Sequence, residues 1–153
     1  MGQTHAEREV EIGRKFLDAG DPNSASYHFL AAVEIEPEKA EHHFWLGSSY
    51  CAEEKFRDAE KPLRDALRIE PNYAEALKLL GKCAMASGHL ASAEHYFQWA
   101  RELESKTADA FEEGVSFYAQ GLFAEAEKSF RVALSTDSDN ADFQAWLGRS
   151  LRS

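Results

Sequence analysis

Six histidines, two cysteines and 27 carboxylates are the side chains in this sequence with the types to do chemistry. A helical metal site wants histidines one turn apart, at i and i+4, so that two rings converge on one ion. His42 and His43 are adjacent, and on a helix they diverge by about 100°. His89 and His95 are six residues apart, across an expected turn. The expectation is no metal and no cofactor, with the histidines solvated or near helix caps. Cys51 and Cys83 form no CxxC pair and suggest no disulfide framework, and neither has an adjacent histidine and acid to activate it. Cys51 is expected toward a groove and Cys83 toward the core, both as small hydrophobes. The carboxylates spread over helical faces, where a solvated surface accounts for them. No catalytic residue is expected, and the chemistry that remains is binding.

Charge and hydropathy narrow what is bound. A net charge of −10 opposes nucleic acid, whose phosphates need a basic surface. It equally opposes an anionic membrane surface. No apolar run approaches the roughly 18 residues of a membrane span, and the first residues carry no secretory core segment. Gly2 stands where a myristoylated glycine would, but Ala6 replaces the Ser or Thr of that motif. With only two cysteines and no disulfide framework, a cytoplasmic location is expected. A protein or peptide partner remains.

The elements that would position such a site follow from a repeat. Glycines fall at 13, 47, 81, 114 and 148, in steps of 34, 34, 33 and 34 residues. Alanines at 25, 59, 93 and 126, and again at 32, 66, 100 and 133, step by 34, 34 and 33. Pro37 and Pro71 share the period, and Ser105 and Ser138 occupy the next two places. Within a period, His43, Leu46, Gly47 and Tyr50 follow i, i+3, i+4, i+7 spacing, and Phe56, Ala59, Leu63 and Ala66 form a second stripe. Gly20, Gly88 and Gly121 mark the break between the two stripes. Each unit is expected to be helix, tight turn, helix. The glycine ladder loses about 1 kcal/mol of helix propensity per position so that partner helices can approach closely.

The residues LG…Y at 46, 47 and 50, with Ala59, Ala66 and Pro71, resemble the tetratricopeptide repeat. The resemblance recurs at 6–39, 40–73, 74–106 and 107–140, with a half repeat or capping helix at 141–153, as one domain over 1–153. It implies an all-α fold, a right-handed superhelix of tandem helix-turn-helix repeats whose first helices line a concave, protein-binding groove. There are departures: His43 stands for the usual tryptophan, Glu113 for a leucine, and the third repeat is one residue short. Packing is expected to be disturbed around 101–114. Members that clamp the C-terminal carboxylate of heat-shock chaperones use Lys and Asn, then Asn, then Lys and Arg. In one frame those places hold Val10 and Arg14, Trp45, then Glu75 and Leu79; in the other, Phe44 and Ser48, Leu79, then Ala108 and Glu112. Neither frame supplies the clamp.

A helical projection places the groove independently. In the second repeat Phe44, Trp45, Ser48 and Cys51 lie opposite the Leu46–Gly47–Tyr50 stripe. The equivalent faces carry Val10, Glu11, Arg14 and Leu17, then Lys78, Leu79, Lys82 and Met85, then Phe111, Glu112, Val115 and Tyr118, then Ala145, Trp146 and Arg149. Aromatic residues alternate with cations, the types that dominate binding hot spots, the alternative being that Phe44 and Trp45 pack against the neighbouring repeats. The expected ligand is an extended or helical segment with bulky apolar anchors and acidic residues. The leading expectation is a non-catalytic interaction scaffold, with assembly or secretion chaperones and adaptors as one subset. Alternatives are a self-assembling structural scaffold and a substrate-recruiting segment of a larger enzyme. Helix 141–152 carries Leu147, Gly148 and Leu151 on one face, so a homo-oligomer through the C-terminal end is also expected.

Overall fold

The computed structural model describes residues 2–137 and 139–152, and within them the chain forms eight α-helices and no strand. These are α1 (His5–Asp18), α2 (Pro22–Ile35), α3 (Ala40–Ala52), α4 (Phe56–Ile69), α5 (Ala74–Ala86), α6 (Leu90–Ala119), α7 (Phe123–Thr136) and α8 (Ala141–Leu151). The first start is written in the sequence: Thr4 Oγ1 accepts from the Glu7 amide at 3.1 Å, and the Glu7 carboxylate accepts from the Thr4 amide at 2.8 Å. Asp21 caps α2 ahead of Pro22, accepting from the Ser24 hydroxyl at 2.6 Å and the Ser24 amide at 3.1 Å. Those two bonds hold its carboxyl below the ordinary aspartate range.

The turns within repeats share one geometry. Gly20, Gly88 and Gly121 have φ of 79°, 79° and 76°. In each case the next amide reaches back to a carbonyl five residues earlier: Asp21 to Phe16 at 2.8 Å, His89 to Ala84 at 2.8 Å and Leu122 to Phe117 at 3.0 Å. The second repeat makes the same turn, Lys55 to Tyr50 at 2.9 Å, with Glu54 at φ 60° in the glycine's place. A non-glycine residue in that region costs about 1–2 kcal/mol. Glu54→Gly recovers most of this and loses some through unfolded-chain entropy. It is expected to stabilise by roughly 0.5–1 kcal/mol, read as a higher thermal midpoint. A lower midpoint would contradict this account of the turn.

One boundary departs from the expected rhythm. The chain was expected to break between the third and fourth repeats, near 106, but α6 runs without interruption through 30 residues. Proline follows the ends of α2 and α4 at 37 and 71, whereas Ser105 at the matching place removes no hydrogen bond and clashes with nothing. The Thr107 hydroxyl donates to the Leu103 carbonyl at 2.8 Å, a back-bond that seats a polar residue inside a helix. Ser138, the fourth member of that series, lies outside the described residues.

The chain divides into two compact units, one reaching Gln98 and the other starting at Trp99. In the first, α1 pairs with α2 and α3 with α4, and each pair packs onto the next helix in sequence. Two apolar clusters fill it, one around Phe29, Ala25 and Ala32, the other around Leu63, Ala59 and Leu80. The ladder glycines are sites of contact. A Cβ on Gly13 would lie 2.6 Å from the Phe29 ring, on Gly47 2.6 Å from Leu63 Cγ, and on Gly81 2.6 Å from the Phe97 ring. The space over each of these glycines is filled by the bulky residue sixteen positions on, and at Gly47 the Ala59 carbonyl lies beside it at 3.4 Å.

In the second unit Phe130 plays that part for Gly114, with a hypothetical Cβ again at 2.6 Å. Phe130 is wholly buried and its ring lies 5.9 Å from Phe111 and 6.0 Å from Trp146. Glu113 causes no collapse: it is exposed and accepts from the Ser129 hydroxyl at 3.0 Å. Thr107 and Thr136 hydroxyls bond to one another between α6 and α7.

Candidate functional site

In the first unit α1 touches α3 and α3 touches α5, so the first helices of successive repeats form one layer. The expected site residues of that layer fall into two groups, those packed against the apolar clusters and those that are exposed. Phe44 and Trp45 are half-buried and act between repeats. Phe44 stacks on Tyr73 with centroids 5.0 Å apart, and Trp45 stacks on Phe29 at 5.9 Å. The two also meet edge to face at 5.4 Å. Leu79 and Ser48 are half-buried beside them. Arg14, Lys78, Lys82 and Met85 are exposed, with Met85 at 55%.

The two groups are linked where Arg14 crosses from α1 to α3. Its guanidinium carbon sits 4.9 Å from the Trp45 ring centroid, a cation–π contact worth about 0.5–1 kcal/mol at an exposed site. The indole N–H donates to Glu41 at 3.2 Å, which fixes the ring from its other end. Between α1 and α3 lies an open cleft of about 420 Å³, lined by Glu7, Val10, Glu11, Arg14, Glu41 and His42 among others. Its rim is of mixed sign, while α5 presents Lys78 and Lys82 one turn apart. The layer is thus of mixed charge, with Lys78 and Lys82 on α5 beside the exposed Met85.

The second unit presents a smaller set. Phe111 packs on Phe143 at 4.7 Å, and Tyr118 meets Trp146 edge-on at 5.4 Å and Phe123 at 5.2 Å. Val115 is half-buried on the same helix. Arg149 is exposed and its guanidinium carbon lies 4.9 Å from the Trp146 ring, so a cation over a tryptophan recurs here within α8.

Two sets of residues differ in part from the sequence reading. His42 and His43 lie near the N-terminal cap of α3, one of the two places expected, but they are buried, at 3% and 6% exposure. His43 Nε2 lies 2.7 Å from the Pro37 carbonyl, to which it donates, and His42 Nε2 lies 3.8 Å from Glu36. In this repeat His43 fills the tryptophan's place by tying α3 to the preceding loop. Cys83 is buried and Cys51 half-buried, in keeping with the sequence reading, yet their sulfurs lie 3.3 Å apart, a pairing that reading did not contain. Sequence distance concealed this, because the pair is 32 residues apart and neighbours only through the repeat period of 34. A search for cysteines near one repeat length apart on successive first helices would have found it.

Tandem helical pairs with ladder glycines and αL turns define the class as an all-α repeat protein of the helix-turn-helix type. The chain belongs to the tetratricopeptide repeat family, which matches it over residues 10–74, 80–141 and 111–153 in one description and 50–108 in another. Among curated relatives it is 24% identical over 148 residues to human DnaJ homolog subfamily C member 7, covering 94% of this chain and 28% of that protein. It is 26% identical over 147 residues to human tetratricopeptide repeat protein 13, covering 95% of this chain and 17% of that protein. The chain thus spans under a third of the length of either relative. Among solved structures it resembles MamA, with a TM-score of 0.64 and 24% identity over 90% of this chain and 81% of that one. It also resembles the second repeat domain of Spaghetti (RPAP3) bound to the HSP90 peptide SRMEEVD, with a TM-score of 0.64 and 21% identity over 65% of this chain and 93% of that one. No helix among the described residues is long and apolar enough to cross a membrane.

Proposed function

We propose that the chain is a non-catalytic interaction scaffold that holds an acidic, apolar-anchored segment of a partner protein against the inner face of α1, α3 and α5. The observation that carries this reading is the exposed set Arg14, Lys78, Lys82 and Met85, arrayed on one layer beside the half-buried edges of Trp45 and Ser48. Charge selects the ligand's sign and Met85 offers an adaptable apolar contact. The peptide held by the RPAP3 domain supports a peptide as the ligand class, and the DnaJ relative supports an adaptor working with chaperones. The carboxylate clamp is not the means, because Trp45, Glu75 and Leu79 occupy its places.

The test uses a phage-displayed random peptide library selected on the purified chain. Selected peptides are expected to be rich in Asp, Glu and large apolar residues. Lys82→Glu combined with Met85→Ala should weaken them about tenfold or more, while Tyr27→Ala on the far side of α2, where the ring is 76% exposed, should leave them unchanged. Retained affinity in the first variant, or loss in the second, would move the site elsewhere.

Self-association through α8 is a second reading with its own observation. At Gly148 the nearest atom to a hypothetical Cβ is the Arg152 guanidinium at 3.6 Å, where the other ladder glycines of both units meet a bulky side chain. Leu151 beside it is 55% exposed. Light scattering across a dilution series should show concentration-dependent mass that Leu151→Glu abolishes; an unchanging monomer mass would end this reading.

A further inference from the structure

Cys51 lies at the C-terminal end of α3, and Cys83 lies one repeat on, within α5. Both are free thiols, with sulfurs 3.3 Å apart. A disulfide needs about 2.05 Å, so closure asks for roughly 1.2 Å of sulfur travel, within the reach of side-chain torsions. The two thiols differ in access. Cys83 is wholly buried, whereas Cys51 is half-buried at the edge of the inner face. A reagent from solvent therefore meets Cys51 first.

Their electrostatics differ in the same sense. The contact with the Cys83 sulfhydryl, helped by the Lys82 ammonium on α5, lowers the Cys51 pKa against the opposing effect of burial. Cys83 is pushed up by that shared contact and by burial, and the Glu60 carboxylate of α4 adds to it. Of the two, Cys51 is therefore the more readily deprotonated and Cys83 holds its proton more tightly. An accessible, more acidic thiol in contact with a sequestered, less acidic one is the arrangement of an attacking and a resolving cysteine. Among the described residues no group of three His, Cys, Asp or Glu side chains could hold a metal ion, so the pair is not part of a ligand set.

We propose that Cys51 and Cys83 are a peroxide-sensitive dithiol that closes to an intramolecular disulfide, stapling the inner helices of the second and third repeats. In the first step the Cys51 thiolate attacks one oxygen of hydrogen peroxide; the O–O bond breaks, hydroxide leaves and takes up a proton as water, and Cys51 becomes a sulfenic acid. In the second step the Cys83 sulfur attacks the Cys51 sulfur. The S–O bond breaks, a second water leaves with the Cys83 proton, and the S–S bond forms. Overall two thiols are oxidised and one peroxide is reduced to two waters. A dithiol reductant reverses the step by exchange. The bond closes a loop of about thirty residues, which restricts the unfolded chain.

The experiment treats the purified chain with hydrogen peroxide under denaturant-free conditions and follows intact mass, disulfide-linked peptides and thermal melting. Wild type is expected to lose two hydrogens, yield a linked peptide containing Cys51 and Cys83, and remain unshifted in oligomeric mass. Its midpoint should rise by roughly 10 °C and return on reduction with dithiothreitol. In Cys83→Ala, a conservative change at a buried site, Cys51 should accumulate as sulfenic acid and be trapped by dimedone. In Cys51→Ala, Cys83 should stay reduced under the same exposure. Over-oxidation of Cys51 in wild type at the rate seen in Cys83→Ala would overturn the proposal. So would disulfides that form only between chains, or two thiols that survive the treatment.

Discussion

Gly47→Leu is expected to destabilise the first unit by about 3 kcal/mol or more, at the upper end of what overpacking costs. Leucine gains nearly 1 kcal/mol of helix propensity over glycine, so the substitution would stabilise an isolated helix. Packing outweighs that gain, because the new Cβ alone would sit 2.6 Å from Leu63 Cγ and 2.7 Å from its Cδ2, with the Ala59 carbonyl at 3.4 Å behind. Leu63 is wholly buried and cannot swing into solvent without leaving a void. Size exchange tests the cause. In the double variant Gly47→Leu/Leu63→Ala the new side chain occupies the space the old one vacates. It should melt no lower than Leu63→Ala alone, which by itself costs about 2–5 kcal/mol. Additive losses in denaturant melts would show that the glycine is not needed for closeness.

Phe29→Ala is expected to cost about 3–5 kcal/mol, the range for a fully buried phenylalanine. Its ring does three things at once: it fills the space over Gly13, stacks on Trp45, and anchors the cluster that joins α1, α2 and α3. Loss of the ring therefore loosens the Arg14–Trp45 contact as well as the core. Urea denaturation followed by tryptophan fluorescence should show a lowered midpoint. A loss under 1 kcal/mol would mean that the first two repeats are not joined through this ring.

The fold was legible where the repeat reinforced it. Gly13, Gly47, Gly81 and Gly114 stand at one phase because one contact recurs, and Gly20, Gly88 and Gly121 because one turn recurs. Glu54 shows the limit of that legibility, since a matching turn forms there without its glycine. Continuity through 105 was hidden for a related reason: Ser105 permits either a break or a helix, and only neighbouring structure decides. The site was legible by face and not by role. Projection put Phe44 and Trp45 away from their own partner helix, but it could not decide between a groove and the packing on adjoining repeats that Tyr73 and Phe29 supply. It did bring Arg14, Lys82 and Met85 to the exposed side. His43 and the Cys51–Cys83 pair depend on contacts across the repeat boundary, which periodicity within one helix does not contain.

The central claim is that the inner layer of α1, α3 and α5 is where a partner binds. It is tested most directly by recording backbone amide chemical shifts while a selected acidic peptide is titrated into the isotope-labelled chain. The largest shifts are expected to cluster at Arg14, Trp45, Ser48, Lys78, Lys82 and Met85, with α2 and α4 nearly still. Shifts concentrated instead on the outward residues of α2 and α4, around Tyr27, Leu30 and Arg64, would contradict it.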